Sequence, residues 1–221
     1  MVNVEKSRDE IMLKVKIGLS KRKKVPVFYI LDGTYLPHEA LRLLWDLRWL
    51  NEIEHNKEYT ILEAKGNTLK FLNQHASFIV DEWKVWEKYY IPHFSLQGKT
   101  IFDVGAGRGE TALLFFLHGA YKVIAVGPNV KAVECLKENM ERNDWNVEIV
   151  AKPFSLEHLK FNYDFVKMDG EGCEELLSKL PKVDKPCVVE VHSSKLLNEF
   201  MREGWRKIYS LTVDVHFVSN A

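Results

Sequence analysis

Residues Thr100-Ile101-Phe102-Asp103-Val104-Gly105-Ala106-Gly107-Arg108-Gly109-Glu110 decide the fold. Thr100–Val104 read as a short buried strand, and the glycines at every second position after it read as a tight turn. Gly109–His118 read as the helix that follows. A strand that passes through a glycine turn straight into a helix is the opening unit of a parallel α/β sheet. In such sheets ligands sit beyond the carboxyl ends of the strands.

Downstream the same alternation continues. Strands are expected at Tyr121–Val126, Val147–Ala151, Tyr163–Met168, Pro186–Val191, Trp205–Ser210 and Thr212–Val218. Helices fit Asn129–Arg142, Gly172–Leu180 and Ser194–Glu203. In the first of these Val133, Leu136 and Met140 share one side, as packing against a sheet requires. The last two strands have almost nothing between them, so they must pair antiparallel as a hairpin. The expectation is an α/β domain with a seven-stranded, Rossmann-like sheet covered by helices on both faces, its last strand antiparallel.

Upstream the pattern differs. Residues 1–97 are expected to form a small α+β extension serving as substrate lid, and residues 98–221 the main domain. Glu5–Leu19 can form a short amphipathic helix, leading into Lys21-Arg22-Lys23-Lys24. Up to Lys24 there are eight Lys or Arg against three acids. Such a run is either a solvated arm or a contact for RNA or an anionic lipid or glycan. Val25–Leu31 reads as a strand. Pro37 opens a helix to about Asn51, with Leu41, Leu44, Trp45 and Leu47 on its apolar side. Tyr59–Ala64 and Thr68–Leu72 flank Lys65-Gly66-Asn67 as a hairpin. Ser77 caps a helix carrying Ile79, Trp83, Trp86 and Tyr90 at helical spacing, which favours packing.

Bulk properties exclude little else. The formal net charge of the 221 residues is zero, so only local charge speaks for nucleic acid. No apolar run approaches the ~20 residues of a membrane span. The start is too charged for a signal peptide, and a cytoplasmic protein is expected. Cys135, Cys173 and Cys187 form no CxxC pair and have no His at ligand spacing, so no metal site is expected.

The ligand of the glycine turn follows from its spacing. A dinucleotide fingerprint would place its third glycine at Glu110. Here Asp103 stands two residues before Gly105, where it would repel a pyrophosphate. An acid beside glycine amides suits the ammonium and carboxylate of S-adenosylmethionine. The cofactor set at the turn is therefore Asp103, Gly105, Ala106, Gly107 and Gly109. At the end of the fourth strand, Lys167-Met168-Asp169-Gly170-Glu171-Gly172-Cys173-Glu174 offers Asp169 and Glu171 to the transferable methyl, or else merely caps the next helix. His192, ending the fifth strand, either accepts a proton from a substrate hydroxyl or is structural.

These stretches, with Glu190-Val191-His192, resemble the FkbM-like family of class I S-adenosylmethionine-dependent methyltransferases. The Lys167–Glu174 run is the more specific part, and the glycine turn is shared more widely. The resemblance implies an O-methyltransferase acting on a small molecule, glycan or lipid head group. The resemblance also implies that Gly127, Pro128 and Asn129 after the second strand, and Phe154 after the third, join the cofactor set. One departure stands out: the family places an acid before Pro-Asn to hold the ribose hydroxyls, and this sequence has Gly127 there. Two other readings stay open. One is an RNA (tRNA) methyltransferase using the basic arm, although no N-P-P-Y-like run follows the fourth strand. The other is a silent cofactor-fold protein acting by interaction.

Overall fold

The computed structural model describes residues 2–6, 11–17, 21–26, 50–55, 59–72, 85–92, 94–179 and 183–220. The chain divides into two compact units, Met1–Gly66 with Lys70–Trp83, and Asn67–Leu69 with Lys84–Ala221.

Strands β1 (Val2–Lys6), β2 (Ile11–Ile17) and β3 (Lys21–Pro26) form an antiparallel sheet in that order. The helix expected over Glu5–Leu19 is thus replaced by strands. The reason is visible in Leu13-Lys14-Val15-Lys16-Ile17, which alternates apolar and cationic residues with period two and is rich in β-branched residues. The basic cluster is accordingly part of a sheet: Lys24 pairs with Lys14, and Arg22 with Lys16.

A second three-stranded sheet holds β4 (Leu50–His55), β5 (Tyr59–Ala64) and β6 (Asn67–Leu72). The expected hairpin is present, with a tighter turn. Lys65 (φ +49°) and Gly66 (φ +82°) alone make it, and Asn67 already belongs to β6. Two successive positive φ angles match the twist of a two-residue hairpin loop. The helix expected from Pro37 lies outside the described residues except for Leu50 and Asn51, which open β4. Val25 and Pro26 end β3, and the rest of the strand expected to Leu31 lies outside, as do Ser77, Ile79 and Trp83. Residues 85–89 are helical, with Trp86 and Tyr90 buried.

The second unit contains a seven-stranded sheet. Its strands are β7 (Thr100–Val104), β8 (Lys122–Val126), β9 (Val147–Val150), β10 (Phe165–Met168), β11 (Cys187–Val191), β12 (Arg206–Ser210) and β13 (His216–Ser219). They lie in the order β12-β13-β11-β10-β7-β8-β9. Strand β13 is inserted between β11 and β12 and runs antiparallel to both. Strands β7, β8, β10, β11 and β13 are buried along nearly their whole length, as in a sheet covered on both faces. The helices are α1 (Glu110–Leu117), α2 (Val130–Asn143), α3 (Glu174–Leu177) and α4 (Ser194–Arg202). The reversal of strand order between β7 and β10 fixes the ligand crevice at their carboxyl ends. Among the described residues no helix is long and apolar enough to cross a membrane.

Candidate active site

The glycine turn is stitched to both neighbouring strand ends. Gly105 N donates to Val126 O at 2.9 Å, and Asp169 N donates to Val104 O at 3.0 Å. Gly105 has φ +77°, and a Cβ there would stand 1.6 Å from the Asp169 carbonyl oxygen. This glycine is therefore required by the close approach of two backbones, before any ligand is considered. Gly109 precedes α1 with φ +105°, and a Cβ on it would meet Leu136 Cδ1 at 2.9 Å. The buried Asn139 of α2 donates from Nδ2 to Arg108 O at 2.8 Å, tying turn and helix together.

Between them opens a cavity of about 330 Å3. The turn (Gly105–Arg108), the end of β8 (Gly127–Asn129) and the loop after β10 (Asp169–Glu171) form its polar rim. Ala125, Ala132, Val133, Leu136 and Ile149 give it an apolar wall. A Cβ on Gly127 would meet nothing within 4 Å. Asn129 Oδ1 accepts from Ala132 N at 3.1 Å and caps α2.

The cofactor residues expected from sequence thus divide. Gly105, Ala106, Gly107, Gly127, Pro128 and Asn129 line the cavity, with Glu171. Asp103, Gly109 and Phe154 do not. Phe154 packs in the core beside Phe102, their ring centroids 6.2 Å apart. Asp103 is wholly buried and accepts from Thr111 Oγ1, and its other oxygen lies 3.2 Å from Lys167 Nζ. Its carboxylate is committed to the protein interior instead of facing a ligand ammonium.

Lys167 is itself sealed, its side chain 1% exposed. It donates to Gly105 O at 3.1 Å and lies 5.1 Å from the Tyr90 ring centroid. Burial works against its charge, but the Asp103 and Asp169 carboxylates outweigh burial and raise its pKa. The lysine is a cationic staple beneath the glycine turn.

Beyond the cavity's acidic rim, four elements bring ionisable groups together. The buried Tyr90 hydroxyl lies 3.0 Å from Asp169 Oδ2 and also against Glu190 Oε2, so its single proton is shared between the two carboxyl groups. Burial, with the charges of Asp169 and Glu190, pushes the Tyr90 pKa well above its usual value and keeps it a donor. His192 follows β11, and its Nδ1 lies 3.0 Å from Glu174 Oε1. That hydrogen bond, aided by Asp169, Glu174 and Glu190, raises the His192 pKa to about 9. Burial, reinforced by Asp169, raises Glu190 to about 7. Glu174 is pushed up by burial, but hydrogen bonds from His192 and backbone amides bring it below its ordinary value.

Asp169 and His192 are therefore neighbours, as expected, whereas Glu171 sits on the exposed rim with φ +50°. Sequence reasoning passed over Tyr90, Lys167 and Glu190 as working parts. The available signal for the last two was a charged residue inside an otherwise apolar parallel strand, where an unpaired charge is costly.

No known family model matches the chain. It is 36% identical over 64 residues to a ribosomal protein L11 methyltransferase of Thermotoga maritima, covering 29% of this chain and 24% of that protein. A Thermosipho africanus protein of the same name is 35% identical over 100 residues, or 45% and 36% of the two chains. The chain thus spans about a quarter to a third of the length of these relatives. It is also 33% identical over 112 residues to uncharacterized protein 158B of Sulfolobus islandicus rod-shaped virus 1, covering 48% of this chain and 68% of the viral one. Among solved structures it resembles M. jannaschii TYW2 in complex with AdoMet, with TM-score 0.52 and 21% identity over 76% of this chain and 87% of that one. A putative transferase of Pyrococcus horikoshii gives TM-score 0.50 and 17% identity over 74% and 71%. Together with the strand order, this likeness establishes the class I methyltransferase fold.

Proposed function

The chain belongs to the family of the viral protein 158B, and we propose that it is an S-adenosylmethionine-dependent methyltransferase of the FkbM-like kind. The observation that carries this reading is the cavity at the carboxyl ends of β7 and β8, floored by the glycine turn. Its residues fit the cofactor. The small and aliphatic side chains of Ala125, Ala132, Val133, Leu136 and Ile149 suit a flat heteroaromatic ring. The acids Asp169 and Glu171 on the rim suit the ammonium of an amino-acid end. The space beside Gly127 leaves room for a ribose.

When bound, S-adenosylmethionine supplies a methyl group already activated by the sulfonium. The protein's task is then alignment and proton management. Asp169 sits on both the cavity rim and the ionisable cluster, so an acceptor oxygen held there meets the reacting end of the cavity. His192, kept cationic near neutral pH by its carboxylate neighbours, balances their charge, and Asp169 receives the acceptor's proton. The acceptor is a hydroxyl of a small molecule, glycan or lipid head group, in keeping with the Lys167–Glu174 run.

One observation favours a second reading. The register of β2 and β3 sets Lys14 opposite Lys24 and Lys16 opposite Arg22, which concentrates positive charge in one small sheet. RNA is the alternative acceptor that such a concentration supports. Calorimetric titration with S-adenosylmethionine tests the first step, and radiolabelled methyl transfer to metabolite, glycan, lipid and tRNA pools tests the second. Absence of cofactor binding overturns the proposal. Labelled tRNA with unlabelled metabolites moves the acceptor to RNA.

A further inference from the structure

The trio Asp169, Glu190 and His192 is arranged as ligands are, not as hydrogen-bond partners are. His192 Nε2 stands 3.8 Å from Asp169 Oδ1 and 3.7 Å from Glu190 Oε1. These separations are too long for hydrogen bonds. They lie a few tenths of an ångström from the spacing of two atoms sharing an ion, since ligands about 2.1 Å from a tetrahedral metal are about 3.4 Å apart. One ligand atom from each residue lies within 4.8 Å of the other two.

A second observation concerns the far side of each group. Tyr90, fully buried, holds Asp169 by Oδ2 and Glu190 by Oε2, which leaves Oδ1 and Oε1 on the His192 side. Glu174, 2% exposed, holds His192 by Nδ1 and leaves Nε2 for the carboxylates. Metal-binding imidazoles are oriented in this way, with the second nitrogen donating to a carboxylate and the ligating carboxylates hydrogen-bonded in turn. The three side chains are 22%, 12% and 26% exposed, so the gap between them is reachable. Lys167 Nζ lies 3.9 Å from Asp169 Oδ2, but it is engaged more closely by Asp103 at 3.2 Å.

We propose that Asp169, Glu190 and His192 bind one divalent transition-metal cation at the carboxyl ends of β10 and β11. Two carboxylates and one imidazole suit Mn2+, Fe2+ or Zn2+. The binding claim stands on the trio alone. The use of the ion rests on the methyltransferase reading: beside the cavity rim it would hold an acceptor oxygen and make its hydroxyl easier to deprotonate.

The test uses the full chain, stripped with chelator and titrated with Mn2+ by electron paramagnetic resonance and with Zn2+ by calorimetry. One saturable equivalent is expected. Glu190→Gln, which keeps an acceptor for Tyr90, and His192→Ala should each weaken it about tenfold or more. Glu174→Gln, which reaches the trio through the far side of His192 and keeps an oxygen acceptor for the Gly172 amide, should weaken it by about tenfold as well. Circular dichroism melting checks that the variants fold. If no site saturates, or if folded Glu190→Gln and His192→Ala bind as wild type does, the trio is a proton-sharing cluster and the proposal is overturned. Titrating the stripped protein with S-adenosylmethionine separates the two failures. Cofactor binding without metal sinks only the metal site, and metal binding without cofactor sinks only the transferase.

Discussion

The ammonium of Lys167 lies 3.2 Å from the carboxylate of Asp103, and neither side chain is more than 1% exposed. A buried pair of this kind is hard to break one partner at a time, because the survivor is left as an uncompensated charge. Lys167→Met should lower unfolding free energy by ~3–5 kcal/mol. The double variant Asp103→Asn with Lys167→Met should recover a large part of that loss. Urea denaturation of wild type, both single variants and the double variant checks this. Equal destabilisation in single and double variants would show that the two groups do not act as a pair.

Gly105 is held by architecture. With a Cβ placed 1.6 Å from the Asp169 carbonyl oxygen, Gly105→Val must push apart the ends of β7 and β10. Loss of cooperative melting, not merely loss of cofactor affinity, is the expected result. A variant that melts as wild type does and fails only to bind would return this glycine to a ligand-contact role.

Gly127 is the better probe of the cavity, since its Cβ would enter open space. Gly127→Phe should fold normally and lose S-adenosylmethionine binding. Gly127→Glu should restore a carboxylate where the ribose hydroxyls are expected and improve affinity several-fold, about 1 kcal/mol after desolvation of the new charge. Calorimetry reads both variants. Weaker binding by Gly127→Glu would place the ribose elsewhere.

Asp169 belongs to both rim and cluster. Asp169→Asn keeps an oxygen acceptor for Tyr90 and removes the charge. Methyl transfer should fall at least about tenfold more than cofactor affinity, because a proton-handling charge is lost while the cavity wall is kept. Turnover equal to wild type on an identified acceptor would reduce this carboxylate to a structural cap.

Cys173 offers a test that needs no ligand. Burial, helped by the Glu174 charge, pushes its thiol up to about 12. Only the thiolate is alkylated readily, and this group holds roughly a thousandfold less of it than a free cysteine near pH 8 to 9. Iodoacetamide should therefore label Cys173 rapidly in denaturant and very slowly in the native protein, as peptide mass spectrometry would show. Rapid native labelling would mean that this loop opens readily.

Much of the sheet was legible because parallel strands buried on both faces appear as short apolar runs with glycine turns between them, and Cys187-Val188-Val189 at the start of β11 is such a run. The amino-terminal strands were less so. The window from Glu5 to Leu19 admits both periodicities, and the period-two run from Leu13 to Ile17 settles the matter locally. At the site, sequence placed Asp169 and His192 at neighbouring strand ends but gave Asp103 a ligand-facing role, whereas its side chain is buried and lies off the cavity lining. Spacing locates an acid near a turn, whereas its partner, Lys167, comes from a strand far along the chain. Tyr90 was out of reach for a similar reason. Its helical spacing with Trp86 announces packing, and nothing local announces that its hydroxyl meets Asp169 and Glu190.

Strand β13 follows β12 in sequence yet sits inside the sheet, with β12 outside it. During synthesis, then, β11 keeps an open edge and β12 has no partner until β13 has left the ribosome. Phe217 of that strand also packs against the Tyr90 ring, at 5.6 Å between centroids. The tyrosine that holds the two carboxylates is thus braced by a residue translated after all three members of the trio. A nascent chain stalled before Phe217 carries every ionisable residue of the trio without the brace beneath it, so maturation of the site waits on the strand that closes the sheet.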